Sequence, residues 1–242
     1  MARSDWDIIY PSRRPSEAAV GSFSTRVYGW MTVGLLFTAM IAYAVFATGL
    51  YAKLMPFWWV WAFGTLGVGM LISFRAQRMS VGAMTTAFMV YSGLEGIFMG
   101  TLLPAFAFAY GGQVIWSAFA TAGLIFGMAA CYGIFTKSDL TKLSRILSFA
   151  LIGLIVVSLI YFVASFFIHL TWMTLLISYL GLVIFTGLTA YDAHQIRQMA
   201  YQVEQDSTLS QKLSLMMALR MYINVIMIFW YLLQIFASSR RS

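Results

Sequence analysis

Seven uninterrupted apolar runs, at about residues 27–49, 54–74, 80–103, 113–135, 146–168, 172–192 and 213–236, constrain this 242-residue chain more than any other feature. A helix rises about 1.5 Å per residue and the hydrocarbon layer is about 30 Å thick, so a crossing takes about 20 apolar residues. Every run is long enough. Transmembrane barrels are excluded, because their strands are segments of about ten residues that alternate apolar with polar positions. The composition agrees: 61% of the residues are hydrophobic and 10% charged, against about 45–50% and about 25% in soluble domains. The chain is therefore predicted to be all-α, a polytopic membrane protein folded as one seven-transmembrane-helix bundle. Residues 1–26 are expected as an N-terminal tail, 27–236 as the membrane domain and 237–242 as a short C-terminal tail.

Seven crossings divide the 15 Lys and Arg residues unequally. One side receives Arg3, Arg13, Arg14, Arg26, Arg75, Arg78, Lys137, Lys142, Arg145, Arg197, Lys212 and Arg220, and the other Lys53, Arg240 and Arg241. Basic residues are retained in the cytoplasm, so the amino terminus is expected there. Arg240 and Arg241 pull mildly toward the alternative of a last segment that dips in and returns; seven full crossings is the stronger reading. The net charge of +7 is dispersed and reads as topology information, not as a nucleic-acid footprint. A lone cysteine, Cys131, excludes an intrachain disulfide and any multi-cysteine metal or cluster site.

Two pairs of glycines four residues apart, Gly96 with Gly100 and Gly123 with Gly127, are read as devices for close helix approach. Phe57, Trp58, Trp59, Trp61 and Trp172 fall at the outer ends of spans 2 and 6, where amphipathic rings suit the headgroup level.

Ionisable and amide side chains inside the spans are the candidates for function, since a central acid costs roughly 2.5–3.5 kcal/mol to insert. Glu95 in span 3 reads either as a neutral acid bonding a neighbouring helix or as a pathway carboxylate. Asp192 ends span 6; if the helix runs on, Tyr191, Gln195 and Gln198 surround it on one polar face, although a solvated helix end would look similar. Asn224 in span 7 suits an interhelical hydrogen bond, and Arg220, one turn earlier on the same face, suits snorkelling to headgroups or an ion pair with Asp192. His194 does not share a face with Asp192 and His169 falls at the other side of the membrane, so these two histidines are not expected to hold a metal, and no cofactor is expected.

Enzyme chemistry lacks its equipment. Walker, His-Glu-x-x-His and Gly-x-Ser-x-Gly patterns are absent from the sequence. Tyr191-Asp192 resembles the motif of intramembrane aspartyl proteases, yet Asn224 is no acid and Asp139 lies in a loop, so the second aspartate that such chemistry needs is missing. The chain is expected not to be an enzyme.

Several blocks carry a family resemblance: Phe126-Gly127-Met128, Tyr132 through Leu143, Leu151 through Ile155, Ser92-Gly93 with Glu95-Gly96-Ile97, Tyr191-Asp192-Ala193 with Gln195-Ile196, and Ala218-Leu219 with Tyr222 and Phe229. Together they resemble the Bax-inhibitor family, the transmembrane Bax inhibitor motif proteins, over nearly everything after residue 26. The resemblance implies a bundle with span 7 near its centre and a pH-sensitive calcium leak. It further implies a latch of two aspartates that share a proton, assisted by an arginine near the end of span 2. Asp192 matches the first aspartate; the second falls on Asn224, a departure. Arg75 is the best match for the arginine, with Arg78 next. Short tails and loops point to a bacterial inner-membrane member.

Two carboxylates within hydrogen-bonding reach titrate as a unit, whereas an Asp beside an Asn has no such coupling. From the resemblance, the leading expectation is a membrane-embedded pathway for calcium or other cations, with Asp192 at a cytoplasmic constriction. The alternative is a non-conducting regulator that binds another membrane protein, such as a quality-control protease. The topology is checked by maleimide labelling of a single cysteine placed in the 136–145 loop of a Cys131→Ser chain. Labelling should occur from the cytoplasmic side; labelling from the outer side alone would overturn the orientation.

Overall fold

The computed structural model describes residues 17–167, 171–202 and 207–240. Seven helices in it are long and apolar enough to cross a membrane: α1 (Glu17–Ala47), α2 (Trp58–Arg75), α3 (Val81–Tyr110), α4 (Gly112–Phe135), α5 (Thr141–Ala164), α6 (Thr171–Gln202) and α7 (Ser207–Ser239). A four-residue turn of helix, Tyr51–Leu54, and a 3-10 turn, Met55–Phe57, lead into α2. No strand occurs among the described residues. The seven-helix membrane fold expected from the sequence is the fold observed.

Helix α7 is the axis. It packs against α1, α3, α4 and α6, and these four also touch one another in the ring α1–α3–α4–α6–α1. Helix α2 lies outside on α3, and α5 outside on α6. Burial follows this arrangement: Ile228, Leu233, Met221 and Tyr222 of α7 are fully buried, while Phe74 on α2 and Phe149 on α5 are largely exposed. Polar backbone is confined to helices in hydrocarbon, so an exposed apolar side chain here faces lipid and needs no further partner. The outer helices meet through rings at one end, where Phe162 stands edge-on to Trp58 at 6.0 Å and to Phe63 at 5.5 Å. Phe57, Trp59 and Trp172, expected as interface anchors, are exposed at this same end.

Without a hydrophobic force between helices in lipid, close packing has to come from backbone approach. A Cβ on Gly96 would lie 2.8 Å from Thr38 O, and one on Gly100 would lie 2.7 Å from Ala42 O, so this pair seats α3 on α1. The other predicted pair is different. Gly123 and Gly127 would meet nothing within 4 Å. Spacing reports that a helix face is small, but not which way it points, and this face of α4 points outward. At the far end α3 and α4 are separated by a single residue, Gly111, at φ 86°, a conformation that a side chain disfavours.

Boundaries shift where helices outrun the hydrocarbon. The tail expected over 1–26 is already helical from Glu17, with Arg26 bonding back to Ser22 O; residues 1–16 lie outside the described residues. Span 6, expected to end at 192, continues to Gln202, and span 7 begins at Ser207 instead of about 213 and continues to Ser239. Between Asp192 and Gln202 there is no Gly or Pro to stop the helix. Helix α7 is unbroken over 33 residues, about 50 Å of length, enough to cross fully.

Gly100→Ala should lower the thermal unfolding midpoint of the purified protein, since a methyl forced against backbone costs about 1–3 kcal/mol. Gly123→Ala should leave it within a degree or so or raise it, because alanine favours helix. Differential scanning fluorimetry in detergent reads both.

Candidate functional site

The end of the bundle that carries the Arg75, Lys137 and Arg197 regions, here the basic end, is where α6 and α7 join through polar side chains. Asp192 is 2% exposed, well inside the helix pair. Its Oδ2 accepts a hydrogen bond from Asn224 Nδ2 at 2.8 Å, and its Oδ1 lies 2.8 Å from Arg220 Nη2. Both carboxylate oxygens are thereby engaged by α7. One helical turn separates Arg220 from Asn224, so a single face of α7 grips one side chain of α6.

Arg220 extends outward from this contact. Its side chain is 45% exposed, and Nη1 donates to Gln195 Oε1 at 3.1 Å. Gln195 in turn donates from Nε2 to Tyr191 OH at 3.3 Å. The chain Tyr191–Gln195–Arg220–Asp192–Asn224 thus links half-buried groups, through an exposed guanidinium, to two buried ones. A guanidinium with a wet outer edge and an inner edge on a dry carboxylate keeps part of its hydration, which lowers the cost of burying the pair.

Two residues beyond Asp192, α6 turns to α4. His194 Nδ1 lies 3.2 Å from Gly133 O, and Arg197 Nη1 donates to Ile134 O at 2.7 Å. These carbonyls belong to the last turn of α4, where no intrahelical donor reaches them and where the helix dipole favours cations. Gln198 Nε2 lies 2.9 Å from His194 Nε2, so with Nδ1–H on the carbonyl, Nε2 accepts from the amide. The clamp requires Gly133: a Cβ there would collide with Ala190 O. In the following loop Thr136 Oγ1 accepts from Ser138 N, and Asp139 Oδ1 accepts from Thr141 N at 2.9 Å, fastening the start of α5. The Thr141 hydroxyl and N–H hold the exposed Asp139 carboxyl below its usual range. The 132–143 block is therefore the α4 terminus and its connection, shaped to receive α6.

A second polar cluster sits on the other side of α7. Tyr222 OH is 2.6 Å from Thr38 Oγ1 of α1, which also lies 2.9 Å from Gly34 O and 2.9 Å from Ser92 O of α3. When the threonine proton serves a carbonyl, the tyrosine is left as donor to Oγ1. Phe88 and Tyr91 stand edge-on to the Tyr222 ring at 5.6 and 5.8 Å, the arrangement that ring quadrupoles favour. Glu95, 5% exposed, lies on the same buried face of α3 as Tyr91 and Ser92, within electrostatic range of Tyr91 and Tyr222. It faces helices, not lipid. Thr38 was missed from sequence because a threonine that bonds its own helix backbone looks the same as one that links three helices.

Of the residues singled out from sequence, Asp192, Asn224 and Arg220 come together and Glu95 belongs to the second cluster. Arg75 and Arg78 do not join them: both are exposed at the end of α2, and neither bonds Asp192 among the described residues. The arginine at the aspartate comes from α7 instead. Among the described residues no three His, Cys, Asp or Glu side chains gather as a metal site; His169 lies outside those residues.

The family model described as "Inhibitor of apoptosis-promoting Bax1" matches residues 20–241. The chain belongs to the Bax-inhibitor family. An uncharacterized protein of Chlamydia muridarum is 54% identical over 239 residues, covering 99% of this chain and 98% of the relative. Inner membrane protein YbhL of Escherichia coli K12 is 32% identical over 243 residues, 98% of each chain. A Borreliella burgdorferi protein is 33% identical over 225 residues, covering 91% of this chain and 93% of that one. The relatives are bacterial, and the family places this chain in a lipid bilayer, as its composition and helix lengths require.

Arg220→Met should destabilise the protein by about 1–3 kcal/mol, because it strands a buried carboxylate without its cation. Asp192→Asn should cost less, since the half-exposed guanidinium can turn to water. The double variant should recover part of the Arg220→Met loss. Thermal unfolding of the four proteins in one detergent checks this; a double-variant loss equal to the sum of the two single losses would mean that the pair is not energetically coupled.

Proposed function

We propose that this Bax-inhibitor family member is a membrane pathway, not an enzyme, through which calcium or other cations leak, and that the Asp192–Arg220–Asn224 contact is its closed latch. The observation that carries the reading is a carboxylate 2% exposed within a spanning helix, with both oxygens held by the central helix α7. Keeping an acid at such a depth has a cost that packing alone does not require. Arg220 acts as a tethered cation: while it occupies Asp192, a mobile ion finds no free negative charge there. Withdrawal of its half-exposed guanidinium into water exposes the carboxylate and loosens α6 from α7 in one step. The basic end is cytoplasmic in this reading by its excess of Lys and Arg, and the bacterial inner membrane is the site, as the name of the Escherichia coli relative, inner membrane protein YbhL, supports.

A second reading is a non-conducting regulator that holds another membrane protein, such as a quality-control protease. What favours it is the outward face of α4, where Gly123 and Gly127 leave open space.

Calcium flux into proteoliposomes at about pH 6 and about pH 8 separates the two. Wild-type flux should be low and nearly the same at both, because one carboxylate with a standing ion pair shares no proton. Arg220→Gln should raise flux several-fold. Asn224→Asp combined with Arg220→Ser sets two carboxylates face to face and should make flux depend on pH. Flux that none of these changes alters, or that Asp192→Asn leaves both steep in pH and intact, would remove the latch from this pair.

A further inference from the structure

Where α2 ends at the basic end, the chain makes a 3-10 turn, Ala76–Arg78, before α3 begins. Ala76 and Ile72 are buried at 2% and 3%, which fastens this turn to the bundle, and Met79 N bonds back to Arg75 O at 3.2 Å. Arg75 and Arg78 therefore project from a fixed piece of backbone. Together with Phe74 and Met79 they line a cleft of about 490 Å³. Phe74 is 80% exposed, and Leu71 and Met70 on the same helix are exposed as well, so an apolar track on the lipid-facing side of α2 leads up to the two guanidinium groups.

Charge makes the cleft unusual. No Asp or Glu occurs anywhere between Glu17 and Glu95, and neither arginine makes an ion pair with a described residue. Three other cations at this end are engaged: Arg197 with Ile134 O, Arg220 with Asp192, and Lys142 beside Asp139. Ser80 caps Ala83 N at the start of α3, immediately beyond the cleft, so the positive end of a 30-residue helix adds to the field there. Two guanidinium forks beside an apolar track at the hydrocarbon boundary match one chemistry, a phosphodiester carrying net negative charge with acyl chains attached.

We propose that the Phe74–Met79 cleft is a binding site for the headgroup of an anionic phospholipid, with Arg75 and Arg78 on the phosphate and Phe74, Leu71 and Met70 along an acyl chain. The site lies apart from the Asp192 contact, and the proposal does not depend on the leak reading.

Native mass spectrometry of the full-length protein in detergent, titrated with dioleoyl phosphatidylglycerol or dioleoyl phosphatidylcholine, tests it. Wild type should bind phosphatidylglycerol the more tightly. Arg75→Gln with Arg78→Gln should weaken the tightest phosphatidylglycerol step about 25-fold, at roughly fivefold for each arginine at a lipid surface, and leave phosphatidylcholine unchanged. Both side chains are exposed, so folding should survive; if the double variant does not fold, Arg78→Gln alone should show the fivefold loss. Lys142→Gln, at the same end but beside Asp139, should change nothing. Unaltered phosphatidylglycerol affinity in the arginine variants, or an equal loss in Lys142→Gln, would overturn the site. Competition by inorganic phosphate as effective as the lipid would also overturn it, by showing an anion site with no use for acyl chains.

Discussion

The grip of α7 on a single buried carboxylate of α6 governs how the bundle is assembled, because in hydrocarbon a polar group has no alternative partner in water. Packing of apolar side chains against lipid or against other helices differs little in energy, so it does not by itself fix how a helix is rotated about its axis. Directional contacts do. Asn224 and Arg220 point to α6, and Tyr222, two residues away and so about 200° around the helix, points to Thr38 of α1. Polar anchors on opposite faces leave α7 one rotation. That is why the central helix, and not a peripheral one, carries the polar residues that matter.

Glycines determine how near the helices come to allow those contacts. Gly96 and Gly100 bring α3 onto α1, and Gly133 brings the end of α4 against the backbone of α6 at Ala190. The second approach sets up the clamp of His194 and Arg197 on the α4 carbonyls, two and five residues past Asp192 on the same helix. The aspartate is therefore fixed from α7 by its own oxygens and from α4 through the helix that bears it. Outer helices α2 and α5 share in none of these polar contacts and meet each other through aromatic rings at the opposite end. The outer helices have close approaches of their own, Gly187 of α6 against Leu147 of α5 and Gly69 of α2 against Tyr91 of α3.

Seven crossings were legible because hydrocarbon thickness imposes a length on each apolar run. The ends were not, since a helix such as α6 keeps its backbone bonds past the membrane for as long as no Gly or Pro interrupts it, and hydropathy is blind to that. Asp192, Asn224 and Arg220 were legible as odd polar residues in apolar surroundings, and their spacing put Arg220 and Asn224 on one face. That this face turns to Asp192 depends on rotations of α6 and α7 that no periodicity states. Gly123 and Gly127 show the same limit from the other direction: the spacing was right and the facing was not. His194 was read as lying off the face of Asp192, and that offset is what delivers it to α4.

Asn224 and Arg220 also bear on what kind of latch a bundle like this can have. To bond Asp192 from position 224, an aspartate would need a proton, since two bare carboxylates repel; the bond would exist only while that proton was shared. The Asn224 amide brings its own donor to Oδ2. Arg220 then supplies at Oδ1 the positive charge that a shared proton would otherwise contribute in part. The same two helices are joined at the same carboxylate by an amide donor and a guanidinium charge, neither of which titrates near neutral pH. Competition for the guanidinium weakens an ion pair of this kind, so the proposed latch is expected to respond to ionic strength and to lipid charge at the basic end.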